Sequence, residues 1–131
     1  MSFLLDTGVW LWALDSTEQL LPEAREILAD GSQDIFLSAV TTWELSIKVA
    51  LGKLKFPTPP AQSVPRLMRK QNLKPLSVTH SHAARVFDLP LHHGDPFDRL
   101  LVAQALEENL TLLTADREFK KYDVPLIWCG R

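Results

Sequence analysis

The sequence predicts an α/β fold in which a mostly parallel sheet is flanked by helices. Short apolar runs, typical of buried strands, recur along the chain. Segments with helical spacing of apolar residues lie between them, and two of the runs end at an acidic residue. Alternating strands and helices favour parallel strands joined by right-handed crossovers. The length of 131 residues is that of one domain, which we expect to occupy residues 1–131.

The first half of the chain contains two predicted strands and three predicted helices. Each strand is an apolar run bounded by polar or small residues, and each helix carries its apolar residues mainly on one face. Thr41 or Thr42 is expected to cap the third helix, which would run to about Leu54. The elements in chain order are strand 2–5, helices 9–14 and 22–29, strand 34–39 and the helix that ends near Leu54.

The second half begins with a loop at residues 55–63, where three prolines disfavour regular structure. A basic helix is expected next, and Thr79 is a favourable cap for the helix after it. The expected elements are helix 64–72, an extended segment at 73–78, helix 79–89, a helix ending near Asn109, strand 111–116, a helical turn at 117–121 and strand 124–129.

The last long helix begins with a strong start signal. Asp95 is a favourable N-cap, and Pro96 suits the first helical position. Asp98 then falls on the same face as the apolar Leu101 and Val102. A carboxylate on the apolar face of a buried helix needs a hydrogen-bond donor, a cation or a raised pKa. The simpler alternative is that Asp95 and Asp98 are only a cap and a favourable first-turn charge.

Four acids are expected to meet at one edge of the sheet. Asp6 and Asp116 end the first strand and a later one. Glu44 lies on the apolar face of the helix after the second strand, and Asp98 opens the helix that leads into a later strand. The carboxyl ends of parallel strands form one edge of a sheet, where ligands bind in such folds. For Glu44, a capping box with Thr41 is the alternative explanation.

Carboxylates brought this close together need a counter-charge. Two of them about 5 Å apart repel by roughly 3 kcal/mol at an effective dielectric constant near 20. Oxygen ligands favour a hard divalent cation such as Mg²⁺ or Mn²⁺. Such an ion lowers the pKa of a bound water and neutralises phosphate oxygens. An acidic metal site of this kind fits the hydrolysis of a phosphodiester.

A basic interval supports the same chemistry. Between Glu44 and Asp88 the chain has eight Lys and Arg residues and no acid. A block of one charge sign is often a surface for nucleic acid or for an acidic partner. The alternative is an ordinary solvated basic face with no partner.

Four segments carry a family resemblance. They are Leu4-Leu5-Asp6-Thr7, Thr41-Thr42-Trp43-Glu44-Leu45, Asp95-Pro96-Phe97-Asp98-Arg99-Leu100-Leu101-Val102 and Leu113-Thr114-Ala115-Asp116-Arg117. In order and spacing they resemble the four acidic motifs of the PIN domain, and the closest subgroup is the VapC-like toxins of bacterial toxin–antitoxin pairs. The resemblance implies a three-layer sandwich with a central, mostly parallel sheet, and a Mg²⁺- or Mn²⁺-dependent endoribonuclease. It also implies an RNA substrate, a homodimer and a cognate antitoxin that blocks the site.

The resemblance also implies roles for particular residues. It assigns metal binding and catalysis to one acid of each motif: Asp6, Glu44, Asp98 and Asp116. Supporting roles fall to three polar neighbours: Thr114, Asp95 and Thr7. Three basic residues are candidate contacts for RNA phosphates, although the arginines could equally pair with acids: Arg99, Arg117 and Lys48. Gly8 departs from the His or Ser of many relatives, which removes a side chain near the site.

Other functions fit the sequence less well. The four histidines, two of which (His92 and His93) are expected in a loop, show no zinc-finger spacing. A Gly-x-Ser-x-Gly elbow, a P-loop and a dinucleotide motif are absent from the sequence. Two alternatives stay open: a non-catalytic RNA- or partner-binding module on the same fold, and a housekeeping nuclease in place of a toxin.

Cysteine usage and hydropathy favour a cytoplasmic protein. Cys129 is the single cysteine and lies in an apolar run, where packing is the expected role. No window approaches the roughly 20 apolar residues of a membrane span, and no signal-peptide pattern is visible. Trp10, Trp12 and Trp43 are expected to pack against other side chains and not to stack on bases, and the family resemblance also allows some of them a place at a dimer or antitoxin surface.

Overall fold

The computed structural model of the chain describes residues 1–91 and 94–131. His92 and His93, which the sequence places in a loop, lie outside the described residues. Five strands form one parallel sheet of order β3-β2-β1-β4-β5. They are β1 (Ser2–Leu5), β2 (Asp34–Ser38), β3 (Lys74–Leu76), β4 (Thr111–Thr114) and β5 (Leu126–Trp128). The predicted parallel α/β sheet is therefore confirmed, and the extended segment after residue 73 is its third strand.

Helices fill the connections between the strands. They are α1 (Thr7–Asp15), α2 (Pro22–Ala29), α3 (Ala39–Ala50), α4 (Pro60–Lys70), α5 (His80–Arg85) and α6 (Pro96–Glu108). Short 3₁₀ turns occupy Thr17–Gln19, Val86–Asp88 and Arg117–Lys121. The predicted helix 79–89 is thus divided between α5 and a 3₁₀ turn, and the predicted turn at 117–121 is present.

The two faces of the sheet bury separate apolar clusters. On β1, Phe3 and Leu5 face a cluster that includes residues of α1 to α4, whereas Leu4 faces a cluster dominated by α6. This alternation follows from the two-residue period of a strand. Helices on both faces of one sheet give the three-layer sandwich that the resemblance implied.

The strand order places a switch point beside β1. From β1 the chain builds outward to β2 and β3, then crosses back to add β4 on the other side of β1. The segment that follows β1 and the segment that follows β4 therefore diverge at the carboxyl edge of the sheet, and a crevice lies between them. The backbone N–H of Asp6 donates to the carbonyl of Leu113 at 3.0 Å, which fixes the end of β1 against β4. Ligands of open parallel sheets bind at this kind of crevice.

The start of α3 differs from the sequence prediction. The helix begins at Ala39 with Ser38 as its N-cap, whose hydroxyl accepts the N–H of Val40 at 3.0 Å. Thr41 lies inside the helix and is fully buried. The prediction that Thr41 or Thr42 caps this helix is wrong, because the last residue of β2 already supplies the capping hydroxyl. The capping-box explanation for Glu44 therefore no longer applies.

The basic helix α4 also begins earlier than predicted. It starts at Pro60, four residues before the expected position, with Pro59 as the residue before the first turn. A proline is tolerated at the first helical position because its missing N–H has no helical acceptor there. The prediction of a loop up to residue 63 is wrong for this reason.

The caps of α5 and α6 are those that the sequence predicted. The Thr79 hydroxyl accepts the N–H of His82 at 3.1 Å, and the buried His82 ring accepts the N–H of Thr79 at 3.1 Å. In α6, Asp95 accepts the N–H groups of Phe97 and Asp98 at 2.9 and 3.1 Å. Thr79 and Asp95 are therefore the N-caps of these two helices.

A buried polar contact joins α6 to the end of β2. The Ser38 hydroxyl donates to Gln104 Oε1 at 2.5 Å, and Gln104 Nε2 donates to the Ser77 carbonyl at 3.2 Å. Gln104 is fully buried. Since Ser38 also caps α3, this contact fixes the start of α3 against the middle of α6.

Tryptophans lie both in the interior and at the surface of the molecule. Cys129 and Trp10 are fully buried, as predicted, and burial raises the pKa of the Cys129 thiol to about 12. Trp43 packs edge-on against Phe97, with ring centroids 4.7 Å apart, and is 52% exposed, so it is one of the tryptophans at the surface. Within the described part of the chain, no helix is long and apolar enough to cross a membrane.

Candidate active site

A cleft of about 300 Å³ opens at the carboxyl edge of the sheet. Five acidic side chains line it: Asp6, Glu44, Asp95, Asp98 and Asp116. They come from the end of β1, from α3, from the cap and first turn of α6, and from the residues after β4. The structure therefore brings together the four acids that the sequence predicted to converge, and it adds Asp95.

Asp6 is held rigidly at the floor of the cleft. It is the N-cap of α1, where Oδ1 accepts the N–H of Val9 at 2.6 Å, and Oδ2 accepts the hydroxyl of Thr114 at 2.5 Å. Burial raises the pKa of Asp6 to about 6, and the charge of Asp116 adds to the rise, whereas the two hydrogen bonds oppose it. Asp6 is thus oriented for a cation and poorly solvated without one.

Thr114 connects the ends of the two central strands. Its hydroxyl donates to Asp6 and accepts the N–H of Asp116 at 3.0 Å. Asp116 is exposed, and its Oδ1 accepts the N–H of Glu118 at 2.9 Å. A single hydroxyl at the end of β4 therefore sets the positions of two of the acids.

Glu44 is fixed by residues of α1 and α3. Thr7 donates its hydroxyl to Glu44 Oε1 at 2.9 Å, and the hydroxyls of Thr7 and Thr41 lie 3.0 Å apart. Lys48, one turn further along α3, donates to Glu44 Oε2 at 2.7 Å. Both carboxylate oxygens of Glu44 therefore have a partner, and its side chain is mostly buried.

Asp98 carries the most perturbed carboxyl of the cleft. It is partly buried in the first turn of α6. Burial raises the pKa of Asp98, and the charges of four neighbouring acids add to the rise, so that the pKa reaches about 7. These acids are Asp95, Asp116, Glu44 and Asp6. All the other acids of the cleft therefore act on Asp98, so the five acids form one electrostatic unit.

The donor set of the cleft suits a hard divalent ion. Its described lining offers carboxylate and hydroxyl oxygens, with Lys48 as the single basic residue. Among residues 1–91 and 94–131, no three His, Cys, Asp or Glu side chains stand close enough to ligate one ion directly. Mg²⁺ keeps several waters and needs only one or two direct carboxylates, so a cleft in which three acids do not reach one point fits a hydrated ion.

The two candidate arginines do not line the cleft. Arg99 is buried, and its guanidinium donates to the Pro90 carbonyl at 2.7 Å and to the Tyr122 hydroxyl at 3.1 Å. The prediction that Arg99 contacts RNA phosphate is wrong, because its charged group holds the segment before α6. Arg117 is exposed next to Asp116 and stays a candidate.

Two features of the cleft were missed or undervalued by sequence reasoning. The buried Thr41 hydroxyl, which supports Thr7, gave no sequence signal because its partner is distant in the chain. The pairing of Lys48 with Glu44 could have been found, since opposite charges four residues apart meet on a helix. At Gly8, an added Cβ would lie 3.8 Å from Asp6 Oδ1, an ordinary van der Waals distance, so a Cβ fits at this position without a clash.

The basic interval does not form one free surface. Lys74 pairs with Asp34 at 2.7 Å, and Arg85 pairs with Glu107 at 2.8 Å. Lys48 is bound within the cleft, as described above. The remaining bases lie mainly on α4 and the loop before it, and they are Lys53, Lys55, Arg66, Arg69 and Lys70. About half of the interval is therefore available for a polyanion.

A larger cavity lies elsewhere in the molecule. It measures about 550 Å³ and is bordered by α1, α2 and the end of α4. Its walls are largely apolar, and Asp30 is the one acid among the described residues that line it. The chemistry of hydrolysis therefore points to the smaller acidic cleft.

This fold and this cleft define an α/β protein with an anionic crevice at the switch point of its sheet. The chain belongs to the PIN domain family, whose model matches residues 3–125. The sequence resemblance to this family is thereby confirmed.

Relatives and a solved structure agree with this assignment. Ribonuclease VapC16 of Mycobacterium tuberculosis is 47% identical over 62 residues, but the match spans 47% of this chain and 44% of that relative, less than half of either. Ribonuclease VapC22 of the same organism is 26% identical and covers 93% of this chain and 92% of its own. The structure of VapBC2 from Rickettsia felis, bound to a DNA fragment from their promoter, shares the fold with a TM-score of 0.75 at 18% identity, and it covers 99% of this chain and 100% of that chain.

The raised pKa of Asp98 leads to a stability prediction for the metal-free protein. A carboxyl whose pKa rises from 3.8 to about 7 on folding stabilises the protein fully below about pH 4, and that contribution is lost as the pH rises through 7. Asp98→Asn cannot ionise, so it is expected to raise Tm at pH 8 by about 3–6 °C. This corresponds to about 1 kcal/mol after allowance for solvent screening. Below about pH 4, where the carboxyl is protonated in both states, the difference from wild type should nearly vanish.

Thermal unfolding in EDTA at both pH values measures this difference. Asp123→Asn, which neutralises an exposed acid outside the cleft, is the matched control and should change Tm little at either pH. An Asp98→Asn variant that is less stable than wild type at pH 8 would contradict the electrostatic description of the cleft.

Proposed function

We propose that this chain is an endoribonuclease that uses Mg²⁺ or Mn²⁺, and that it is the toxin of a toxin–antitoxin pair. Membership of the PIN domain family and the similarity to two ribonucleases support the reaction class. The single observation that carries the metal requirement is the convergence of five carboxylates on one cleft, where burial and the neighbouring acids raise the pKa of Asp98. Such a cluster is stable at neutral pH only with protons or with a cation.

Each acid has a definite part in this proposal. Asp6, Glu44, Asp98 and Asp116 would hold the ion, directly or through its bound waters, and would orient the attacking water. When bound, Mg²⁺ or Mn²⁺ lowers the pKa of a coordinated water and neutralises phosphate oxygens. Thr114 and Thr7 keep Asp6 and Glu44 in fixed rotamers, so little reorganisation is needed when substrate arrives.

The partners in the proposal are RNA and a protein antitoxin. Exposed bases on α4 and on the loop before it would hold the phosphates that flank the cleft. The VapC-like character of the four motifs and the similarity in fold to VapBC2 support an antitoxin as partner. We also propose a cytoplasmic location, which suits a chain whose single cysteine is a buried thiol.

RNA cleavage is the direct test. The wild type, incubated with a mixed RNA pool and Mn²⁺ or Mg²⁺, is expected to cut, and EDTA should abolish cutting. Asp98→Asn and Asp116→Asn should each lower the rate by at least about 100-fold, because the ion loses a charged ligand. Asp123→Asn should cut at the wild-type rate.

Circular dichroism of each variant would show that the fold is retained. Cleavage by Asp98→Asn at the wild-type rate would refute the role given to this acid. RNA binding without cleavage under any ion would favour a non-catalytic RNA-binding module instead.

We also propose a homodimer, held in part by apolar side chains near the cleft. Trp43, Ile47 and Leu51 are exposed at four-residue spacing along α3, and Phe87 and Leu91 are each 90% exposed. An exposed apolar stripe such as the one formed by Trp43, Ile47 and Leu51 is typical of protein interfaces.

Concentration dependence tests the dimer. If folded protomers associate through this surface, Tm should rise by several degrees between about 1 and 100 μM protein. Trp43→Glu should remove that dependence, because it places a charge in the interface. A wild-type Tm that is independent of concentration, with a monomeric mass in sedimentation, would contradict the dimer.

A further inference from the structure

Lys48 occupies an unusual position for a surface lysine. Its ammonium lies 2.7 Å from Glu44 Oε2, and its side chain lines the cleft together with five acids. Among the described residues of that lining, it is the single positive charge. The positive charge of Lys48 therefore offsets part of the electrostatic repulsion among these carboxylates.

Lys48 is not needed to orient Glu44. The other carboxylate oxygen, Oε1, already accepts the hydroxyl of Thr7 at 2.9 Å, and Thr41 supports Thr7 at 3.0 Å. Both threonines are buried, so this side of Glu44 is fixed. Lys48 occupies the remaining oxygen, Oε2, from a position that also lines the cleft.

The ammonium can leave at small cost. The Lys48 side chain is 46% exposed, whereas that of Glu44 is 11% exposed. Because the lysine side chain is close to half exposed, solvent screens the attraction between its ammonium and Glu44. A lysine that swings outward keeps its charge hydrated at the mouth of the cleft. The pair is therefore easily exchanged for a stronger interaction with a divalent cation.

We propose that Lys48 is a built-in counter-ion that holds the Glu44 carboxylate until a divalent cation enters the cleft, and that it then turns outward to bind a phosphate of the RNA. This inference rests on the proposed function and adds a regulatory residue to the same site. It requires Lys48 to compete with the metal, because two cations in one cleft repel each other. It also requires the released ammonium to assist RNA binding, because a phosphate is the complementary charge.

Removing the charge of Lys48 should therefore strengthen the binding of the metal and weaken the binding of RNA. Lys48→Gln should bind Mn²⁺ about three- to tenfold more tightly than wild type in a calorimetric titration without RNA. The same variant should show a KM for cleavage of the RNA pool that is several-fold higher. Lys48→Arg keeps the positive charge and should resemble wild type in both measurements.

Lys53→Gln is the matched control. Lys53 is exposed three residues after the end of the same helix and outside the cleft, and its loss changes the net charge equally. Its Mn²⁺ affinity should stay within about twofold of wild type. If Lys48 only stabilised α3, Lys48→Gln would lower Tm slightly and bind Mn²⁺ no more tightly than Lys53→Gln.

The outcomes separate this inference from the proposed function. A wild type that neither binds Mn²⁺ nor cleaves RNA would overturn both. A wild type that binds and cleaves, with Lys48→Gln binding Mn²⁺ equally or more weakly, would overturn the role of Lys48 alone. Tighter Mn²⁺ binding with an unchanged KM would support the counter-ion and overturn the contact with phosphate.

Discussion

Repulsion among carboxylates is the constraint on which the rest of the site depends. Five acids share one cleft, and burial together with their charges raises the pKa of Asp98 to about 7. A cluster of this kind lowers the stability of the empty protein at neutral pH. The fold tolerates it because the two apolar clusters on either side of the sheet supply the stability that the cleft lacks. Local destabilisation of this kind is characteristic of sites that bind a ligand.

The scaffold holds these charges in place through a few polar contacts. Ser38 caps α3 and donates to Gln104 of α6, so the helices that carry Glu44 and Asp98 are held against each other. Thr114 spans the ends of β1 and β4 by contacting Asp6 and the backbone of Asp116. The carboxylates therefore remain close despite their repulsion, which is the preorganisation that electrostatic catalysis requires.

Sequence reasoning recovered the features that depend on local chemistry. The caps Asp95 and Thr79 were predicted because capping is decided within four residues. The meeting of the acids was predicted because the carboxyl ends of parallel strands share one edge. Features set by distant partners were not recoverable: the strand order, the buried hydroxyl of Thr41 and the inward direction of Arg99. The start of α3 was misplaced because Ser38 belongs to both a strand and a cap, and propensity alone does not decide between them.

The most direct test of the electrostatic account is the number of protons released when Mn²⁺ binds. It can be measured by calorimetry in buffers of different ionisation enthalpy. Carboxyls with pKa values of about 7 and about 6 carry protons at pH 6.5 that a bound cation must displace. The account predicts release of about one proton per ion at pH 6.5 and almost none at pH 8.5. Binding without proton release at pH 6.5 would contradict the claim that the empty cleft is stabilised by protons until a cation replaces them.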